Sequence, residues 1–226
     1  MRIFDKIFGN KEEKKYLIIL NEVSNPLMRK ISLIREKDIR IFFEKIVDAS
    51  EKVLRTFLLR TFQTSLQAEV LSDYRKEINK KEFNYWVEKV SLVMIAYSYY
   101  CVILVKNWYE LNDLCLQGLS YEEWFNKVFS YYNQVFDKNV TKKDIDYYAS
   151  GYKEDAEKGY SKMENEIRVR ESCEKDSETI GSELLKEIWN ENIEEKNKDK
   201  RLFIGGRIWE SHKQLIRPYL EKLSKE

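Results

Sequence analysis

Apolar residues recur at spacings of three and four along most of this chain, the period of helices that bury one face. Glu12–Val23 carries Tyr16, Leu17, Ile19, Leu20 and Val23 in that rhythm. Asn25-Pro26 then predicts a stop and a new start, because Asn suits an N-cap and Pro the first helical turn. From Leu27 the pattern resumes, with a break expected near Glu36–Asp38. Ile39, Phe42, Phe43, Ile46, Val47, Val53, Leu54, Phe57, Leu58 and Phe62 carry it forward. A second break is expected near Thr64-Ser65, before Leu66, Val70, Leu71 and Tyr74 continue towards Ile78. Asn79–Lys81 reads as a turn.

The pattern changes character at 83–117. Val90 to Val105 holds no charge, no Gly and no Pro. One stripe runs Trp86, Val90, Val93, Tyr97, Tyr100, Leu104, Trp108, Leu111 and Cys115, and the opposite side carries Leu92, Ile95, Tyr99, Val102 and Ile103. A helix apolar all round is either deeply buried or in a membrane. Sixteen uncharged residues rise about 24 Å, short of the roughly 30 Å of a bilayer core. The tyrosine and serine hydroxyls also favour protein neighbours. The stretch is therefore expected to be the buried central helix of a bundle, with no transmembrane span.

Gly118 is expected to end that helix. Ser120-Tyr121-Glu122-Glu123 reads as a capping box. It opens a helix whose broad face holds Trp124, Phe125, Val128, Phe129, Tyr132, Val135 and Phe136, expected to pack antiparallel on the central one. Thr141–Asp144 marks another start. After Gly151 only a thin stripe of Tyr152, Ala156, Tyr160, Met163 and Ile167 remains on a charged background. Residues 171–182 read as a loop or hinge, 184–193 as an amphipathic helix, and Gly205-Gly206 as a second flexible point. A last helix follows with Ile208, His212, Leu215, Ile216, Tyr219 and Leu223 on one face and a kink at Pro218. The expected fold is an all-α bundle of about seven to nine helices without a β-sheet. Its expected parts are a short amphipathic segment at 1–10, a core bundle at 11–150, and a more polar helical part at 151–226.

Composition agrees. The chain has 226 residues, long enough to bury a core without disulfides or a structural metal. Two Pro and seven Gly, none of the latter between Gly9 and Gly118, leave too few turn residues for sandwiches or barrels. Net charge is +1, so no overall field draws the chain to nucleic acid or an anionic membrane. Three cysteines without a CxxC pair suggest reduced thiols and a cytoplasmic setting.

The chemistry is read mostly by exclusion. The single histidine, His212, cannot supply the paired histidines of ferritin-like di-iron or zincin sites. Phosphate-loop, dinucleotide-loop and nucleophile-elbow motifs are missing. A carboxylate magnesium site needs no histidine, and Glu44 with Asp48 is the weak candidate, followed by Asp144 with Asp146. Arg40, Lys45, Arg55 and Arg60 are the candidate nucleic-acid contacts, without a recognition signature. Ile3, Phe4, Ile7 and Phe8 form a short apolar face beside basic residues and are the candidate membrane contacts. Tyr97, Tyr100, Trp108, Trp124 and His212 are the candidate lining of a pocket in the aromatic-rich centre.

The first functional reading is a non-enzymatic helical interaction module without a cofactor. It would bind another protein or itself through the polar helices after Gly151, and could rest peripherally on the inner membrane surface. A carboxylate-bound magnesium hydrolase and a helical nucleic-acid-associated protein follow as second and third readings.

Overall fold

A computed structural model describes residues 11–67, 80–108, 115–116 and 118–158, and positions 207, 208, 211, 214 and 215 towards the C-terminus. The described chain is all-α. Its helices are α1 (Lys11–Ser32), α2 (Lys37–Gln67), α3 (Lys80–Trp108), α4 (Tyr121–Phe136), α5 (Lys142–Tyr148) and α6 (Ser150–Lys158). The only extended pairing among the described residues is a minimal hairpin, β1 (Cys115–Leu116) against β2 (Leu119–Ser120).

The expected boundary at Asn25-Pro26 is not a boundary. α1 runs through Pro26 without interruption. Val23, Leu27 and Ile31 form one buried stripe on both sides of the proline, while Pro26 itself faces outward. A proline inside a helix costs about 3 kcal/mol through its missing N–H and its ring clash. Burial of three large apolar side chains, each about 1.5–3 kcal/mol, outweighs that cost. The break expected at Glu36–Asp38 falls slightly earlier, between Ser32 and Lys37. It is closed by Leu33 N–H donating to Lys30 O at 3.1 Å and Ile34 N–H to Ile31 O at 3.0 Å. No break occurs at Thr64-Ser65, where α2 continues to Gln67.

α3 is the keel of the assembly and touches each of the other five described helices. It begins at Lys80, inside the stretch expected to be a turn. Along it, Phe83, Trp86, Val87, Val90, Val93, Met94, Ile95, Ala96, Tyr97 and Tyr100 are all buried. By length and composition Phe83–Leu104 could cross a membrane, yet 78% of its most apolar window is buried inside the fold. The expectation that this helix reaches 117 is corrected at its far end, because Cys115 sits in the hairpin. Gly118, with φ of 76°, occupies the hairpin turn rather than a helix C-cap. Glycine marks left-handed backbone in both settings, so the residue alone did not separate them.

α2 packs against α3 through small polar residues. Ser50 and Ser91 are buried with their Oγ atoms 3.0 Å apart, and Ser50 also donates to Ile46 O at 2.8 Å. Ser98 donates to Met94 O at 2.7 Å. Such back-bonding satisfies buried hydroxyls without a distant partner.

The start of α4 is as the sequence dictates. Glu123 N–H donates to Ser120 Oγ at 3.2 Å, and Ser120 N–H donates to Glu123 Oε2 at 3.0 Å. α5 begins on Thr141, whose N–H and hydroxyl donate to Asp144 Oδ2 at 2.8 and 2.7 Å. Ile208 and Leu215 are buried in the same core as the helices.

Candidate functional site

Among the described residues, four clamps built on lysine–carboxylate pairs tie the elements together. At the α1–α2 corner, Glu36 receives Lys127 Nζ at 2.9 Å and the Tyr131 hydroxyl at 2.5 Å, both from α4. These hydrogen bonds, Tyr131 first and Lys127 second, pull the Glu36 carboxyl down to about 2 from an ordinary 4.5. Lys30 on α1 donates to Val135 O at 3.0 Å and to Asp137 Oδ2 at 2.5 Å. Glu88 on α3 pairs with Lys138 at 3.2 Å, and Tyr132 donates to the Glu88 carbonyl at 3.1 Å. Burial pushes the Glu88 carboxyl up, against the pull of Lys138. Burial likewise drives the Tyr132 phenol well above its usual range.

The fourth clamp joins α3 to α5 and α6. Tyr100 donates to Asp146, whose other oxygen accepts from Lys153 at 2.8 Å. Lys153 also approaches Glu157 at 3.9 Å. Burial opposes ionisation of Asp146, but the hydrogen bonds from Lys153 and Tyr100 prevail and its pKa falls. Burial and the anionic acceptor together hold the Tyr100 phenol protonated. Phenol, carboxylate and ammonium therefore form a closed chain of charge-assisted bonds, which suits a structural joint.

A groove of about 460 Å³ lies where α1, the start of α3 and the end of α4 meet. Val23, Leu27, Val135 and Phe136 are its buried, apolar lining. Glu22, Pro26 and Asp137 are exposed at its rim, with Lys30 and Asn84 half-buried. Two carboxylates face one ammonium, and that ammonium is already bound to Asp137 and Val135. At the last turn of α4 the Val135 carbonyl accepts from Lys30 and the Asn133 carbonyl from the Asp137 and Lys138 N–H groups. The groove is thus apolar inside, with the charged side chains Glu22, Lys30 and Asp137 at its edge.

Tyr97, Tyr100 and Trp124 do not line this groove. Tyr97, Tyr100 and Trp124 are buried in the core, with Trp124 packed edge-on against Phe42 and Phe125 at 4.9 Å each. Trp108 ends α3 but its side chain lies outside the described residues, as does His212. Glu44 and Asp48 stand one turn apart on α2. Arg40 Nε lies 4.0 Å from Glu44, and Lys52 pairs with Asp48 at 2.6 Å. Among the described residues no group of three or more His, Cys, Asp or Glu is arranged to hold a metal ion. Asp144 caps α5 and Asp146 serves the Tyr100 clamp.

Arg40 is half-buried and Lys45 exposed, and five residues on one helix stand about 140° apart, so they do not share a face. Arg55 and Arg60 belong to α2, with side chains outside the described part. Ile3, Phe4, Ile7 and Phe8 also lie outside the described residues, as does nearly all of the polar stretch after Gly151.

Sequence reasoning missed the groove entirely. Its lining comes from residues 22–30, 84 and 135–137. Each is an ordinary helix or cap position in its own neighbourhood, and no local signal joins them. Comparison with protein-family models, with curated proteins and with solved structures found no match to this chain.

Proposed function

We propose that the chain is a non-enzymatic helical interaction module. Its groove takes a short apolar segment of another protein that carries a lysine or arginine. The observation that supports this reading is the groove's combination of apolar lining and charged rim. Its volume of about 460 Å³ falls within the range of preformed binding sites. An apolar anchor in the lining would supply the contact, and a basic side chain joining the Glu22, Lys30 and Asp137 charges at the rim would fix the orientation.

The polar clamps favour binding over catalysis. Asp146, Glu36 and Glu88, three of the carboxylates shifted by burial or hydrogen bonding, each hold a lysine of a neighbouring element, and Glu51 accepts from Ser24 of α1. They act as joints between helices.

The test is selection from a random peptide library displayed on phage, using the full chain. Selected peptides are expected to share apolar residues at helical or alternating spacing and at least one Lys or Arg. Asn84→Trp, which fills the groove mouth, should abolish their binding, while Ile18→Ser on the exposed side of α1 should leave it intact. Peptides indifferent to Asn84→Trp would refute the groove as the site. Loss of a dimer in light scattering on Asn84→Trp, with no peptide selected, would reassign the groove to a second copy of the chain.

A further inference from the structure

The turn between α1 and α2 places a leucine at its most exposed point. Leu33 is 79% exposed, while Ile31, Ile34 and Ile39 around it are buried. The two hydrogen bonds from Leu33 N–H to Lys30 O and from Ile34 N–H to Ile31 O set which of these side chains points inward. Ile34 takes the core position and Leu33 is left facing solvent. A single exposed apolar residue is ordinary on a protein surface. Its surroundings are what give this one meaning.

Met28–Arg40 carries five Lys or Arg against two acids. Arg29, Arg35 and Lys37 are exposed. Arg29 stands one helical turn before Leu33, and Arg35 and Lys37 follow within four residues. Of the two acids, Glu36 is turned onto Lys127 and Tyr131 of α4, so its charge is neutralised away from the tip. Asp38 is half-buried in the first turn of α2. The corner therefore presents an exposed leucine with three exposed cations within four residues of it in sequence. Leu33, Arg35 and Lys37 line no part of the groove.

We infer that the α1–α2 corner is a contact point for an anionic lipid surface. Leu33 enters the boundary between headgroups and acyl chains, and Arg29, Arg35 and Lys37 meet the phosphates. An apolar tip on a protruding turn needs a soft apolar medium to enter, which a bilayer provides. Nucleic acid would satisfy the cations and leave the leucine in water. The corner lies within the described residues, and Ile3, Phe4, Ile7 and Phe8 lie outside them. Each cation near an anionic surface strengthens binding about fivefold, so three of them contribute roughly a hundredfold. One leucine adds a modest apolar term, and the contact is weak and reversible.

The experiment is sedimentation of the full chain with phosphatidylcholine vesicles, with and without phosphatidylserine, at low and moderate salt. Partition onto the anionic vesicles alone, weakened by salt, is expected. The triple variant Arg29→Gln/Arg35→Gln/Lys37→Gln should lower it on the order of a hundredfold, with an unchanged melting temperature because these side chains are exposed. Leu33→Trp, read as a difference spectrum against wild type, should show an emission shift to shorter wavelength on anionic vesicles. No partition, or partition unaffected by the triple variant, overturns the inference. So does an unshifted Leu33→Trp spectrum, or equally tight binding to a short DNA duplex. The peptide-binding groove stands or falls separately, because neither variant touches its lining.

Discussion

Glu36 shows how one side chain can join three helices and leave a measurable trace. Its carboxyl is held near 2 in the fold against 4.5 ordinarily, chiefly by the Tyr131 hydroxyl and then by Lys127. A depressed carboxylate contributes stability that is present above the unfolded value and lost as pH falls through the folded one. Glu36→Gln should therefore be less stable than wild type at neutral pH, with the gap closing between about pH 4.5 and 2. Denaturant unfolding at a series of pH values measures this, and a gap that stays constant to pH 2 would contradict the clamp. The Tyr100–Asp146 bond invites a second test. Tyr100→Phe removes a donor to an ionised acceptor and should cost about 1.5–3 kcal/mol, again by equilibrium unfolding. Neither clamp was legible in the sequence. The chain holds 39 acidic residues, and nothing local distinguishes Glu36 from the rest. Asp146 was noticed only as half of a chance acidic pair with Asp144.

Elements fared according to how local their signals are. The capping box of Ser120 with Glu123 and the helix start at Thr141–Asp144 were readable because each is complete within four residues. Ser120→Ala should accordingly destabilise the fold by about 1 kcal/mol. Pro26 misled because its local preference was overruled from outside the helix. The buried stripe of Val23, Leu27 and Ile31 carries α1 straight through it. Pro26→Ala should then raise the melting temperature. Relief of a helix-interior proline, about 3 kcal/mol, exceeds the roughly 1 kcal/mol of chain entropy the proline removes from the unfolded state. A lowered melting temperature would mean that the ring packs more usefully than its backbone costs. Gly118 misled for a related reason. Its left-handed backbone was foreseeable, but hairpin and helix cap require the same conformation.

At the scale of the whole molecule, the apolar stretch inside 83–117 was the clearest signal, and its role as a buried central helix is what the structure shows. Val93 is almost fully buried on α3, so Val93→Asp would place a carboxylate in the core and should abolish cooperative unfolding. The groove was illegible for the opposite reason. It exists only where α1, α3 and α4 converge, and contacts between residues more than a hundred positions apart leave no periodicity. We propose this groove, and not the aromatic core, as the place where a partner segment binds. The most direct measurement is a titration of one selected apolar–basic peptide against wild type, Asn84→Trp and Leu33→Ser. A loss of at least about tenfold in affinity, or ~1.4 kcal/mol, is predicted for Asn84→Trp alone. Equal affinity for wild type and Asn84→Trp would contradict the account.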